Sequence, residues 1–358
     1  MSWEGPGFVD HHAHVLEAAT GQAPASCDGR DVAGLAAWHR VVNERWSTPM
    51  DEPVPPMQLH DGTRGAIERA LEAARAVGLV QITEAGMTDW LQLEALFQLR
   101  ERRGELPVRV RLLVASGIAD VKRMAPTGDP WVELEGVKFY ADGWLRTRTC
   151  ALERPFDDDD DAGRGVLFLD ADTLARRMDP FAEAGWTVAT HAIGDRAIAN
   201  VVDAYEKVYG GDCADAAPRV EHAQVLTPEL ISRMANLGIV ACIQPGFAVT
   251  DAVDARTALG QRFDDAYRWD ALLEAGVRVI AGSDHPVESP VPLIGLQRLR
   301  TGDFEDGRRA GAVTLPLDDA LAIMTDASAG TVVLSEDPHD VAEDELRSIE
   351  VEETRPRS

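Results

Sequence analysis

Residues 6–14 read PGFVDHHAH, a short apolar strand that ends in an acid and three histidines. Side chains two apart on a strand share a face. Asp10, His12 and His14 therefore point one way and His11 the other, toward the helices, as a structural residue. Two imidazoles on one face can ligate a single metal ion. A pair of hydrogen-bonded loop histidines would carry the same local sequence. The rest of the chain separates the two readings, because a metal centre needs further ligands at equivalent places.

Seven more apolar runs follow, at Leu79–Thr83, Val108–Ala115, Val137–Ala141, Thr187–Thr190, Arg219–Glu221, Ile239–Gln244 and Val277–Ala281. With Phe8–His12 they make eight strands. Several lack alternation, as expected for strands covered on both faces. Amphipathic helices fill the intervals at Arg64–Ala76, Trp90–Arg103, Ala171–Ala184, Arg196–Val208, Pro228–Asn236 and Asp265–Ala275. Thr227-Pro228 is a helix start and Gly238 a helix stop. Eight such units predict a distorted (β/α)8 TIM barrel, with an open doubly wound sheet as the alternative. The barrel is expected over residues 1–334, with 17–62 a long loop insertion after the first strand. Residues 335–358 read as an acidic tail without fixed structure.

The net charge of −26 argues against a nucleic-acid or anionic-membrane partner, since phosphates would be repelled. No apolar run is long enough for a membrane span, and no leader pattern opens the chain. Four scattered cysteines fit reduced thiols and a cytoplasmic protein. Acid excess with only three lysines fits either a protein solvated in high salt or a genome that favours arginine. The run Asp157–Asp161 reads as a solvated loop.

In a barrel the chemistry sits where strands end. Those ends carry His12 and His14, Lys138 (GVKFYADG), His191 (THAIGD), His222 (RVEHAQ) and Asp284 (GSDHP). Six of the nine histidines lie at or beside them, which random placement rarely achieves. Each alone has a bland reading: a histidine near a helix start, a surface histidine, a helix cap. Together, four imidazoles and a carboxylate at one barrel mouth call for a metal. Their donor types suit Zn2+ best, with Mn2+, Fe2+ or Ni2+ as alternatives. Lys138 lies inside a strand expected to be buried, where an ammonium is costly to desolvate. It fits a Schiff-base nucleophile, a salt bridge to Asp142, or a lysine carbamylated by CO2.

These motifs, with QPG at 244–246 and the stretch 267–286, resemble the amidohydrolase superfamily in order and spacing. The resemblance is greatest to its N-substituted formamide deformylase-like metal-dependent hydrolases. It implies one or two metal ions, with His12, His14 and Asp284 on one, His191 and His222 on the other, and carbamylated Lys138 bridging them. It further implies that a hydroxide between the metals attacks a carbonyl. Asp284 would then carry the proton to the leaving nitrogen. The implied activity is hydrolysis of a carbon–nitrogen bond (amide, formamide or imide-like, other than peptide) in a small-molecule substrate. The same site used for decarboxylation, dehydration, deamination or ring closure is the alternative, and a non-catalytic binding barrel is a third.

Relatives of this type carry segments flanking the barrel that form a small β-sandwich. The chain is expected to lack it and to be a barrel-only version. The 17–62 insertion, shorter than is usual in such relatives, favours completion of the site by a second subunit. The expectation is a homo-oligomer that weakens at low salt, checked by sedimentation at several salt concentrations. His285 and Asp142, at the barrel mouth, are candidate substrate contacts.

Overall fold

The computed structural model describes residues 2–19, 61–87, 90–117, 125–305 and 307–357. The predicted 17–62 insertion falls largely outside them. Its described ends belong to the helices α1 (Val15–Ala19) and α2 (Asp61–Ala76).

The strands are β1 (Trp3–Ala13), β2 (Leu79–Met87), β3 (Arg109–Ala115), β4 (Thr127–Gly128), β5 (Val132–Tyr140), β6 (Thr187–Ala192), β7 (Arg219–His222), β8 (Val240–Ile243), β9 (Val279–Ala281), β10 (Thr325–Leu334) and β11 (Val351–Pro356). Eight of them, β1, β2, β3, β5, β6, β7, β8 and β9, pair in parallel and in chain order. All eight predicted strands are present, and among the described residues helices occupy the intervals other than that between β3 and β5. A helix over Pro228–Leu237 starts at Thr227, whose hydroxyl accepts from the Leu230 amide, and stops at Gly238 with φ of 72°. A side chain there would cost about 1–2 kcal/mol in the left-handed region.

The first and last parallel strands meet at their C-terminal ends. The Asp284 amide donates to His12 O at 2.6 Å and the His14 amide to His285 O at 2.7 Å. Gly282 permits this approach, because a Cβ on it would lie 2.4 Å from the His12 nitrogen. Asp10 joins the same seam, accepting from the Ser283 amide at 2.9 Å and the Ser283 hydroxyl at 2.5 Å. No ladder rungs pair β9 with β1 among the described residues.

Beyond residue 334 the structure corrects the sequence reading, because the acidic segment is not a free tail. β11 pairs antiparallel with β10, and β10 pairs antiparallel with the first half of β1. Leu334, Leu346 and Ile349 are buried, which anchors a segment that its charge alone makes look disordered. β10 and β11 thus add antiparallel strands beside β1, outside the parallel series. Thr354 donates its hydroxyl to Arg75 O at 2.8 Å, tying β11 to α2.

His339 clamps the segment between β10 and β11. Its two ring nitrogens meet Asp337 and Asp318, each at 2.8 Å. These hydrogen bonds raise the His339 pKa above its usual value. The clamp therefore contributes fully below the unfolded pKa of about 6.5 and is lost as pH rises through the higher folded value. His339 is half exposed, so its worth is below about 1 kcal/mol. Urea titrations at several pH values check this, with the stability gap between wild type and His339→Gln expected to shrink from mildly acidic to alkaline pH.

Candidate metal centre

The parallel strands deliver the predicted residues to one end of the sheet. His12 lies in β1 and His14 just after it, Lys138 lies in β5, His191 in β6, His222 ends β7, and Asp284 follows β9. All six are buried. His12 Nε2 and His14 Nε2 both face Asp284 Oδ1, at 3.4 and 3.2 Å. Ligand atoms about 2.1 Å from a tetrahedral Zn2+ stand about 3.4 Å apart, so this spacing suits a shared ion. The His12 and His222 rings lie 4.9 Å apart and those of His191 and His222 4.5 Å. The structure thus brings all four imidazoles and the carboxylate together.

Electrostatics follow from this crowding. Burial lowers the His222 pKa well below its usual value, helped by His191 and His12. A neutral imidazole with an available lone pair results, the form that binds metals. Burial opposes protonation of His14, yet Asp284, Glu17 and Glu84 outweigh it and raise its pKa. Burial would raise Asp284, but His12 and His14 hold it well below the carboxylate range. Lys138 is 1% exposed. Its ammonium forms no hydrogen bond or ion pair among the described residues and stands 5.3 Å over the Tyr140 ring. Burial lowers its pKa.

Three non-glycine residues here adopt left-handed backbone: His222 (φ 76°), Ala223 (φ 45°) and Asp284 (φ 58°). Such strain costs about 1–3 kcal/mol per residue and concentrates at functional sites. Beside the histidines lies a small cleft lined by Trp144, Ile193, Phe247 and Val287 together with His191, His222 and Asp284. Arg146 stacks over Trp144 at 5.4 Å and pairs with Asp251 at 2.5 Å, which steadies that wall.

Two sequence readings change. His11 does not face the helices. Burial drives its pKa down to about 3, and the next largest causes are Arg219, Arg111 and Arg278, which places it among charged strand residues. A register shift in the β1–β2 pairing between Asp10 and Ala13 breaks the alternation on which the reading relied. Asp142 is not turned to a ligand, since its oxygens accept from the amides of Ala151, Ile193 and Gly194 at 2.9–3.0 Å. It ties together the loops after β5 and β6, and His191 Nε2 lies 3.4 Å from it. The proposed salt bridge from Lys138 to Asp142 is not formed among the described contacts. His285 is half-buried beside Asp284, and its carbonyl accepts from His14.

Sequence reading missed Glu221, Glu84, Glu17 and Gln244. Glu221 Oε2 lies 2.5 Å from His12 Nδ1. Burial would raise its pKa, but Arg219, His12 and Lys138 hold it well below the carboxylate range. Glu84 accepts from the Leu16 and Glu17 amides just past His14, and burial pushes its pKa up to about 8. Gln244 Oε1 lies 2.8 Å from His222 Nδ1. The signal for Glu221 was available: a charged residue inside a four-residue strand, alternating with Arg219.

Comparison with known proteins accords with this geometry. The profile described as "Amidohydrolase family" matches residues 42–354. Amidohydrolase YtcJ of Bacillus subtilis (strain 168) is 33% identical over 275 residues, 70% of this chain and 51% of that protein. N-substituted formamide deformylase of Arthrobacter pascens is 31% identical over 194 residues, 47% of this chain and 35% of that protein. The chain thus spans about half or less of the length of these curated relatives. A metal-dependent hydrolase from Pyrococcus furiosus superposes with a TM-score of 0.74 at 19% identity, over 94% of this chain and 88% of that one. That likeness speaks for the fold. The profile match takes in the strands that bear Lys138, His191, His222 and Asp284, and by it this chain belongs to the amidohydrolase family.

Proposed function

We propose that this protein is a metal-dependent hydrolase of carbon–nitrogen bonds in amide, formamide or imide-like small molecules, built on a (β/α)8 barrel. The observation that carries the reading is the convergence of His12, His14 and Asp284 beside Lys138, His191 and His222. His12, His14 and Asp284 would hold one ion, Zn2+ by donor type, and His191 and His222 a second. Bound, such an ion supplies Lewis acidity toward a carbonyl and acidifies water.

The chain's own residues supply the rest. Asp284 turns Oδ1 to the two histidines, leaving Oδ2 to take a proton from the attacking water and return it to the departing nitrogen. Trp144, Ile193, Phe247 and Val287 exclude bulk water and favour an uncharged, apolar substituent next to the scissile bond. Lys138 would carry a carbamate: its neutral amine adds to CO2, an N–C bond forms, and one proton leaves. Burial, by lowering the Lys138 pKa, provides that neutral amine. Asp142, holding three amides, positions loops rather than substrate.

The test is turnover of a panel of N-substituted formamides and amides before and after chelation. Activity is expected to vanish with the metal and return with Zn2+ or another divalent ion. His12→Ala, His191→Ala and His222→Ala should each lose bound metal and turnover together. Full metal content with full turnover in any of them overturns the ligand assignment.

A further inference from the structure

We infer that Glu221 is a positioning residue that fixes His12 in its Nδ1–H tautomer and so turns the Nε2 lone pair toward the ion position that His12 would share with His14 and Asp284. The inference rests on the reading of His12 as a metal ligand.

Glu221 is 0% exposed, with His12, Arg219 and Cys242 about its carboxylate. Oε2 lies 2.5 Å from His12 Nδ1, and Oε1 accepts from Arg219 Nε at 2.8 Å. Arg219 is itself fixed, its Nη2 donating to His11 O at 2.7 Å. A carboxylate paired with a guanidinium only accepts hydrogen bonds. The proton between Glu221 and His12 therefore sits on Nδ1. The other ring nitrogen, Nε2, faces Asp284 at 3.4 Å. A ligating imidazole whose second nitrogen donates to a carboxylate has a fixed orientation and greater basicity. Arg219 and His12 thus both donate to Glu221, one to each carboxylate oxygen, which leaves the Nε2 lone pair of His12 for the candidate metal position.

The same geometry gives Glu221→Gln a definite sign. Arg219 Nε can only donate, so the amide oxygen of the new side chain must face it. The amide NH2 then faces His12 Nδ1 as a donor. His12 must present a lone pair there and carry its proton on Nε2, where it blocks ligation.

Histidine-selective 15N labelling of the metal-free protein, with His12 assigned through His12→Gln, reads the tautomer directly. The measurement is made near pH 8.5, where ordinary imidazoles are neutral, their pKa being about 6.5. Wild type is expected to show Nδ1–H and Glu221→Gln Nε2–H. Zn2+ affinity, by competition with a chelating dye, should fall about 10–100-fold in Glu221→Gln. Nε2–H in wild type overturns the inference whether or not the variant folds. So does an unchanged tautomer and affinity in a folded Glu221→Gln. A wild type that binds no Zn2+ defeats the hydrolase reading instead, while the metal-free tautomer still decides the role of Glu221.

Discussion

Asp284→Asn is expected to lower kcat by about 10²–10⁴-fold, the usual contribution of a positioned general acid–base. The substitution keeps the size of the side chain and removes its ability to accept a proton. Asparagine also tolerates the left-handed backbone that Asp284 adopts (φ 58°), so the turn after β9 should survive where alanine would strain it. Metal content measured alongside kcat separates a lost proton carrier from a lost ligand. Unchanged kcat in metal-replete Asp284→Asn, across the pH range, would exclude the proton-shuttle role.

Lys138→Ala should leave little activity, and short carboxylic acids should restore part of it. A buried amine without an ion-pair partner is an expensive thing to keep, since an isolated buried charge costs several kcal/mol or more. As a carbamate, Lys138 would present two oxygens to the surrounding imidazoles. Acetate or propionate could enter the vacated volume and offer the same oxygens. Recovery that saturates with acetate concentration supports the carbamate. Trapping of a substrate adduct on Lys138 by borohydride would establish a Schiff base and overturn it.

Much of this was legible in the sequence for a simple reason: buried parallel strands leave apolar runs, and a histidine, lysine or aspartate in or at the end of one stands out against them. The eight strand positions and the grouping of His12, His14, His191, His222 and Asp284 all follow from that contrast. Lys138 announced itself by being the wrong residue for a buried strand. Glu221 is wrong for its strand in the same way, but Arg219 two residues earlier makes the pair look like solvated surface; only tertiary packing shows both to be buried. His11 defeated the alternation rule because β1 changes register beside it. The pairing of β11 with β10 was hidden by the acidic segment between them and by the exposed Glu352 and Glu353 of β11, while Val332, Leu334 and Thr354 are buried.

The two-sided use of β1 also dictates when the centre can exist. Trp3 pairs with Leu334, and the His12 carbonyl bonds to the Asp284 amide 272 positions away (284 − 12). None of these partners has been made when β1 leaves the ribosome. Closing so long a loop has to precede the contacts that reward it, which makes such pairings slow. Until then β2 can cover one edge of β1, but the edge that β10 takes stays open, the kind of edge that pairs with the wrong neighbour. His12 and His14 therefore come to stand beside Asp284 only late in biosynthesis, and an ion captured earlier would meet a chain in which the candidate ligand group is not yet assembled.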